Sequence, residues 1–218
     1  MKFFINMRRV PEATVERLVQ YLRFVEEMEQ EGREELTATQ IAQSLGLNPH
    51  LVRRDLAYFG QFGKRGKGYK TIRLKETLSK IMGLNKKWKV ALVGVGNLGS
   101  ALLRYPGFRE RGFDLRCAFD ISPKKIGKEI EHVKIESMDK LEEVICREDI
   151  KIAILSIPKE SAEEVSGRLV KAGVKGILNF APKHLKYPYP FRVLNVDLSL
   201  YLETLAFYLE NDGKTINM

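Results

Sequence analysis

The sequence predicts a mixed α/β chain in two parts, on three observations. Its first 60 residues carry helical apolar spacings interrupted by capping residues at helix-turn-helix intervals, from Thr39-Gln40-Ile41-Ala42 to Arg53-Arg54-Asp55-Leu56. From about Val90 onward, short apolar runs alternate with helical ones, the pattern of a doubly wound parallel sheet. Where the first run meets its helix stands Gly94-Val95-Gly96-Asn97-Leu98-Gly99, a Rossmann-type glycine fingerprint. The expected architecture is a winged helix-turn-helix domain over 1–83 and a Rossmann domain over 84–218.

The elements follow in order. Val15, Leu18, Val19, Leu22 and Val25 recur at helical spacing, giving an amphipathic helix from about Pro11 to Glu31 with Pro11 in its first turn. Thr37 and Gln40 form a capping-box pair ahead of a short helix with Ile41 and Leu45 on one face. Gly46 can end that helix, and Asn48-Pro49 can cap and start the next. On this third helix Val52, Leu56 and Phe59 make a buried stripe, while His50, Arg53, Arg54 and Ala57 fall opposite. The glycine-rich segment Gly60 to Tyr69 reads as a hairpin wing with Lys64, Arg65 and Lys67 at its tip. A connecting helix spans Lys75 to Met82, and residues 83–87 form the linker.

Composition bounds the partners. The net charge is +9 and the sequence pI about 9.5, which favours a polyanion. Eight Lys/Arg against Asp55 alone fall within residues 49–75, most of the excess, whereas 26–35 hold six Glu and one Arg. A basic run is ordinarily a solvated face, but this one coincides with a helix suited to the major groove, where arginine pairs with guanine. His50, Arg53, Arg54, Tyr58, Lys64, Arg65 and Lys67 are the candidate contacts to double-stranded DNA. The wing would meet phosphates or the minor groove. Two cysteines, Cys117 and Cys146, make neither a disulfide framework nor a metal site, which favours a reducing compartment. No apolar run approaches a membrane span, and the N-terminus does not read as a signal peptide; a cytoplasmic location is expected.

In the second part, Val90–Val93 reads as a buried strand. Gly94 permits the tight turn, Gly96 lets backbone amides approach a pyrophosphate, and Gly99 allows helix and strand to pack closely. Phosphates favour such a helix N-terminus because free N–H groups point at them. The helix continues through Leu98, Ala101, Leu102 and Tyr105. The next strand, Leu115 to Phe119, ends at Asp120, placed to hold both adenosine ribose hydroxyls and to repel a 2′-phosphate, although Lys124 and Lys125 lie nearby. NADH/NAD+ is therefore the expected cofactor. A helix follows through Met138, Leu141, Val144 and Ile145, then a strand from Ile152 to Ile157 and a helix from Ala162 to Ala172. Strands over Val174–Phe180 and Val193–Val196 complete the sheet. Ser156, Ile157 and Pro158, with Asn179, Phe180 and Ala181, sit at strand ends and are candidates to line the nicotinamide side. Leu198, Tyr201, Leu202, Leu205 and Leu209 define a last helix, which can pack on its own domain or on a partner.

Taken in order, Val10-Pro11-Glu12-Ala13 with Arg17-Leu18, Val52 to Gly60, Gly63 to Tyr69, Gly94 to Gly99, Tyr105-Pro106-Gly107-Phe108, Gly176 to Pro182 and Asn195-Val196-Asp197 resemble the Rex family of redox-sensing transcriptional repressors. The resemblance spans nearly the whole chain. It implies a homodimer bound to an inverted-repeat operator, NADH-driven release, and a C-terminal helix, 198–212, exchanged between subunits. It also implies that Tyr105 lies near the nicotinamide and that Asp197 of one subunit moves between Tyr105 and Arg23. Leu198 departs from the family pattern, which often has an aromatic residue there.

Three other readings compete. A dehydrogenase needs a proton-transferring group beside the nicotinamide; His50 is on the DNA-facing stripe, His132 is in a polar connection, and only His184 is placed to serve. No substrate domain follows the sheet, so no enzyme and no catalytic residue is expected. The same scaffold could bind coenzyme A, against which Asp120 argues. Thiol sensing by Cys117 or Cys146 is the third, with structural cysteines the expectation.

Overall fold

The computed structural model describes residues 10–60 and 68–212. The chain forms two compact units, Met1–Lys86 and Lys87–Met218.

The first unit contains α1 (Glu12–Gln30), β1 (Glu35–Leu36), α2 (Ala38–Ser44), α3 (Pro49–Ala57), β2 (Tyr69–Lys70) and α4 (Thr71–Ile81). Local chemistry sets the boundaries. Pro11 sits just outside α1 in extended conformation, rather than in its first turn. Thr37 and Gln40 close a full capping box on α2, and Asn48 accepts the His50 N–H ahead of Pro49. Gly46 takes a φ of +64° between the two helices. β1 and β2 pair antiparallel, Glu35 with Lys70 and Leu36 with Tyr69. Neither two-residue strand is visible to a periodicity argument. The wing tip, with Lys64, Arg65 and Lys67, lies outside the described residues.

The core joins Leu18, Tyr21, Leu22, Phe24 and Val25 of α1 to Ile41, Val52, Leu56, Leu74 and Leu78. The expected α1 face holds at Leu18, Leu22 and Val25 but shifts at its N-terminal end. Val15 is 38 % exposed, whereas Thr14 and Tyr21 are buried, because a polar cluster described below draws them inward.

The second unit contains β3 (Trp88–Val93), α5 (Asn97–Arg104), α6 (Pro106–Glu110), β4 (Phe113–Asp120), β5 (Glu129–Ile130), β6 (Val133–Ser137), a 3-10 turn at Met138–Lys140, α7 (Leu141–Arg147), β7 (Ile152–Leu155), α8 (Lys159–Lys171), β8 (Gly176–Asn179), β9 (Arg192–Asn195) and α9 (Leu198–Asn211). Its sheet runs β5-β6-β4-β3-β7-β8-β9, parallel throughout except β5. From β6 to β9 this is the Rossmann order, and the chain reverses direction of winding between β3 and β7. Side-chain alternation fills both faces. Ala91 and Val93 meet α7 and α8, while Val90 and Leu92 meet Leu103 of α5. β5 and β6 are absent from the sequence expectation; the short run Val133–Ser137 exposes Lys134 and hides only Val133 and Ile135.

Among the described residues no helix is long and apolar enough to cross a membrane.

Candidate functional site

In the second unit the glycine loop leaves β3 at the switch point of the sheet, where ligands of open α/β folds bind. Gly94 has a φ of +92°, and a Cβ there would stand 2.3 Å from the Ser156 carbonyl oxygen. A Cβ on Gly99 would meet the Gly94 carbonyl oxygen at 2.0 Å. Both positions exclude a side chain for packing reasons. Gly96 differs: it caps α5 and faces open space, so its lack of a side chain leaves the helix N-terminus bare to an anion. Asn97 and Leu98 at that terminus are exposed.

Asp120, at the end of β4, is locked to the same loop. Its Oδ2 accepts the Val95 N–H at 2.8 Å and the Lys125 ammonium at 3.1 Å, and its Oδ1 accepts the Ser122 N–H at 2.8 Å. Burial pushes this carboxyl up, but the Ser122 and Val95 N–H bonds and Lys125 outweigh it and hold Asp120 below the ordinary carboxylate range. The residues present suit a dinucleotide: a bare helix terminus could take a pyrophosphate, and an ionised carboxylate bonded to the same loop could take a ribose diol. The assignment of Val95 changes in kind. Its amide is spent on Asp120 and its side chain is buried, so it shapes the loop.

The other strand-end candidates separate. Ser156 donates its hydroxyl to the Gly94 carbonyl at 2.8 Å, and Ile157 packs over Gly94, so both form the wall of the loop. Pro158 is exposed at the start of α8. Asn179 is 1 % exposed, and its amide is spent on the Lys183 carbonyl, on Asn195 Oδ1 and on the Ala181 N–H. Its side chain knits β8 to β9 instead of lining a cleft. Phe180 is half-buried against the sheet and Ala181 is buried.

Tyr105 is not gathered into this site within one chain. It lies at the far end of α5, about 12 Å along the helix from the glycine loop. Its ring covers Gly107 and meets Phe108 edge-on at 5.1 Å, beside a cavity of about 320 Å³. Asp197 caps α9, accepting the Ser199 N–H and hydroxyl at 3.0 and 2.7 Å, bonds that lower its carboxyl.

In the first unit α3 presents the expected face. His50, Arg53, Arg54, Ala57 and Tyr58 are exposed, and Val52, Leu56 and Phe59 are buried. Two features sharpen its charge. Asp55, the one acid of the basic segment, is fully buried and paired with Arg17. The acidic stretch engages two of the lysines, Glu35 with Lys70 at 3.2 Å and Glu29 with Lys75. Arg53 and Arg54 therefore dominate the open face. Thr14, Arg17 and Tyr21 are invisible to apolar periodicity; Arg17 stands in a family-like segment, and Asp55 stands out as the one acid of the basic run.

Of the cysteines, Cys117 is buried in β4 and its thiol is pushed up to about 12, first by burial and then by Glu148, which makes thiolate chemistry there unfavourable. Cys146 is exposed. His184, the one dehydrogenase candidate, is exposed past β8.

A helix-turn-helix unit and a Rossmann unit whose glycine loop is locked by an aspartate define a ligand-responsive DNA-binding protein as the class. The comparisons agree. Residues 9–57 match a family described as "Putative DNA-binding protein N-terminus", and 85–183 match "CoA binding domain". The redox-sensing transcriptional repressor Rex of Carboxydothermus hydrogenoformans is 47 % identical over 94 % of this chain and 98 % of its own. Rex of Thermus thermophilus is 44 % identical over 93 % and 95 %. Among solved structures, RSP, a Rex-family repressor, in complex with NAD+ and operator DNA superposes with a TM-score of 0.88 at 37 % identity, covering 93 % of each chain. RSP in complex with NADH gives 0.84 at 36 %, over 94 % and 95 %. The chain belongs to the Rex family of redox-sensing transcriptional repressors.

Proposed function

We propose that this chain is a transcriptional repressor that reads the NADH/NAD+ ratio, binding an inverted-repeat operator as a homodimer and leaving it when NADH binds. The observation that carries the reading is the pairing, in one chain, of the acid-free α3 face with the Asp120-locked glycine loop. Its relatives were solved with operator DNA and NAD+, and with NADH. Such a protein works where its DNA and cofactor are, in the cytoplasm.

Arg53 and Arg54 would read base edges, with His50 and Tyr58 flanking them and Lys64, Arg65 and Lys67 of the wing holding phosphates. Residues 1–83 would thus carry DNA binding and 84–218 cofactor binding and dimerisation. The N–H groups at Gly96, Asn97 and Leu98 would hold the pyrophosphate, and Asp120 the adenosine ribose. Gly94, Gly99, Val95, Ser156 and Ile157 would keep the loop in shape, with Pro158, Phe180 and Ala181 toward the nicotinamide. Asp120 also favours this cofactor over coenzyme A, despite the name of the matched domain family.

The dimer reading is supported by α9, which exposes Leu198, Leu202, Leu205 and Leu209 at 57–80 %. No monomer gains from that much wetted apolar surface. We place residues 198–212 against a second copy, with the partner's Asp197 exchanging between Tyr105 and Arg23.

The test is fluorescence anisotropy of the operator duplex crystallised with RSP, titrated with NADH and separately with NAD+. Release by NADH at concentrations where NAD+ leaves the complex intact supports the reading. Tight binding indifferent to both removes the redox sensor and keeps the DNA-binding protein.

A further inference from the structure

Asp55 is the residue of the first unit that a basic DNA-reading face does not explain. It sits directly after Arg53 and Arg54 on α3 and is 0 % exposed. Burying a carboxylate costs several kcal/mol unless partners meet it closely. Three side chains of α1 do so. Arg17 Nε donates to Oδ2 at 2.6 Å and its Nη2 to Oδ1 at 2.9 Å, a two-pronged pair. The Tyr21 hydroxyl donates to Oδ2 at 2.8 Å, and the Thr14 hydroxyl lies 3.4 Å from Oδ1. Arg17 Nη2 also reaches Thr14 Oγ1 at 3.1 Å. Thr14, Arg17 and Tyr21 are spaced three and four apart, so one face of α1 grips one residue of α3.

The ionisation states are those the grip needs. Burial pushes the Asp55 carboxyl up, but Arg17 and Tyr21 outweigh it and hold the acid below its ordinary value. Burial and then Asp55 raise the Tyr21 phenol above its ordinary value, so it stays a donor. A buried ion pair of this kind adds little net stability over well-packed apolar residues. What it adds is a single geometry, because the guanidinium fork fits a carboxylate in one plane. Apolar contacts such as Val52 and Leu56 do not fix a helix so narrowly.

We propose that Arg17, Tyr21 and Thr14 clamp Asp55 to set the roll of α3 on α1, making them positioning residues for sequence-specific DNA reading. A helix with its side chains is about 10–12 Å across, so a 20° roll moves an outward tip by about 2 Å. That is enough to break a two-bond base contact, whose length varies by only a few tenths of an ångström. Contacts to phosphate tolerate such a shift better, since they act largely as point charges. The inference rests on the DNA-binding reading above.

The test compares affinity for the RSP operator duplex with affinity for a scrambled duplex of equal length, across a salt series. The apolar double variant Arg17→Met/Asp55→Leu is expected to unfold cooperatively near the wild-type temperature. Its scrambled-duplex and NADH affinities stay within about twofold, while operator affinity falls tenfold or more. Tyr21→Phe, which removes one hydroxyl, falls the same way by a few-fold. A folded double variant that keeps the wild-type operator-to-scrambled ratio overturns the inference, and if the double variant does not fold, an unchanged ratio in Tyr21→Phe overturns it. A wild-type chain with no preference for operator over scrambled DNA refutes the sequence-specific operator reading itself, and with it the clamp.

Discussion

On the proposed reading, Asp120 would serve two tasks with one carboxylate. Three of its roughly four acceptor positions are taken by Val95, Ser122 and Lys125, so a ribose diol has to share with or displace Lys125, whose side chain is 40 % exposed and can swing away. Removing the carboxylate forfeits charge-assisted bonds of about 1.5–3 kcal/mol. Asp120→Ala should thus weaken NADH binding by about 10- to 100-fold in calorimetry, while the cofactor-free protein still binds DNA. Equal loss of DNA binding would mean that the loop, not the ligand, had failed. Lys125 would have the opposite effect at a ribose held there. By offsetting Asp120 it lessens the repulsion of a 2′-phosphate, and a partly exposed charge of this kind is worth up to about 1 kcal/mol. Lys125→Ala is expected to widen the preference for NADH over NADPH by up to about fivefold; a narrowed preference would show that Lys125 does not assist the phosphate. Protonation gives a further check. The folded-state value of Asp55 lies below the ordinary 3.8, so its contribution to stability is complete above that value and is lost as pH falls through the lowered one. Between pH 5 and 3 the melting temperature of Asp55→Asn should fall less steeply than that of the wild type.

At the scale of elements, what the sequence disclosed followed the range of the forces involved. The capping box at Thr37, the Asn48-Pro49 start of α3 and the Gly94 turn each depend on a few neighbouring residues, and all are found where those residues stand. The α1 stripe holds at Leu18, Leu22 and Val25 and departs at Val15, because burial of Thr14 and Tyr21 depends on Asp55, 41 and 34 residues away. β5 and β6 escape a periodicity argument because the edge strand β5 has two residues and β6 beside it buries only Val133 and Ile135. The strand-end candidates stand at strand ends, but hydrogen bonding between distant residues sets where Asn179 points: it turns into the loop that Asn195 closes. Of the helical run Leu98, Ala101, Leu102 and Tyr105, Leu98 is 40 % and Tyr105 57 % exposed. α9 likewise exposes Leu198, Leu202 and Leu205, so folding of one chain leaves apolar side chains wet on both segments. Burying a Leu contributes about 1.5–3 kcal/mol, so Leu202→Glu/Leu205→Glu should remove several kcal/mol of association. Sedimentation is expected to show dimer for the wild type and monomer for the variant at micromolar concentration, with each subunit still binding NADH. A variant that remains dimeric would place the interface elsewhere.

For the whole molecule the question is how a cofactor in one unit changes the grip of another on DNA. Each unit has its own core, so local damage should stay local. Arg54→Ala is expected to weaken operator binding by about 1–3 kcal/mol, the worth of one base-specific pair, without altering NADH affinity in cofactor-only titrations. Release by NADH is a different kind of statement, since a ligand shifts an equilibrium only by its difference in affinity for the two states. A repressor whose operator affinity drops 100-fold on saturation with NADH has a coupling of about 2.7 kcal/mol. Linkage then requires that saturating operator DNA weaken NADH binding by the same 100-fold. NAD+ should show a far smaller factor in both directions. Because inverted half-sites engage both recognition helices at a fixed separation, the coupling belongs to the dimer. The Leu202→Glu/Leu205→Glu monomer should bind a single half-site weakly and show no effect of NADH on it. Paired titrations, NADH with and without operator and operator with and without NADH, check this directly: matched factors in the wild type and unity in the monomer are expected, and an NADH-sensitive monomer would place the switch within one subunit.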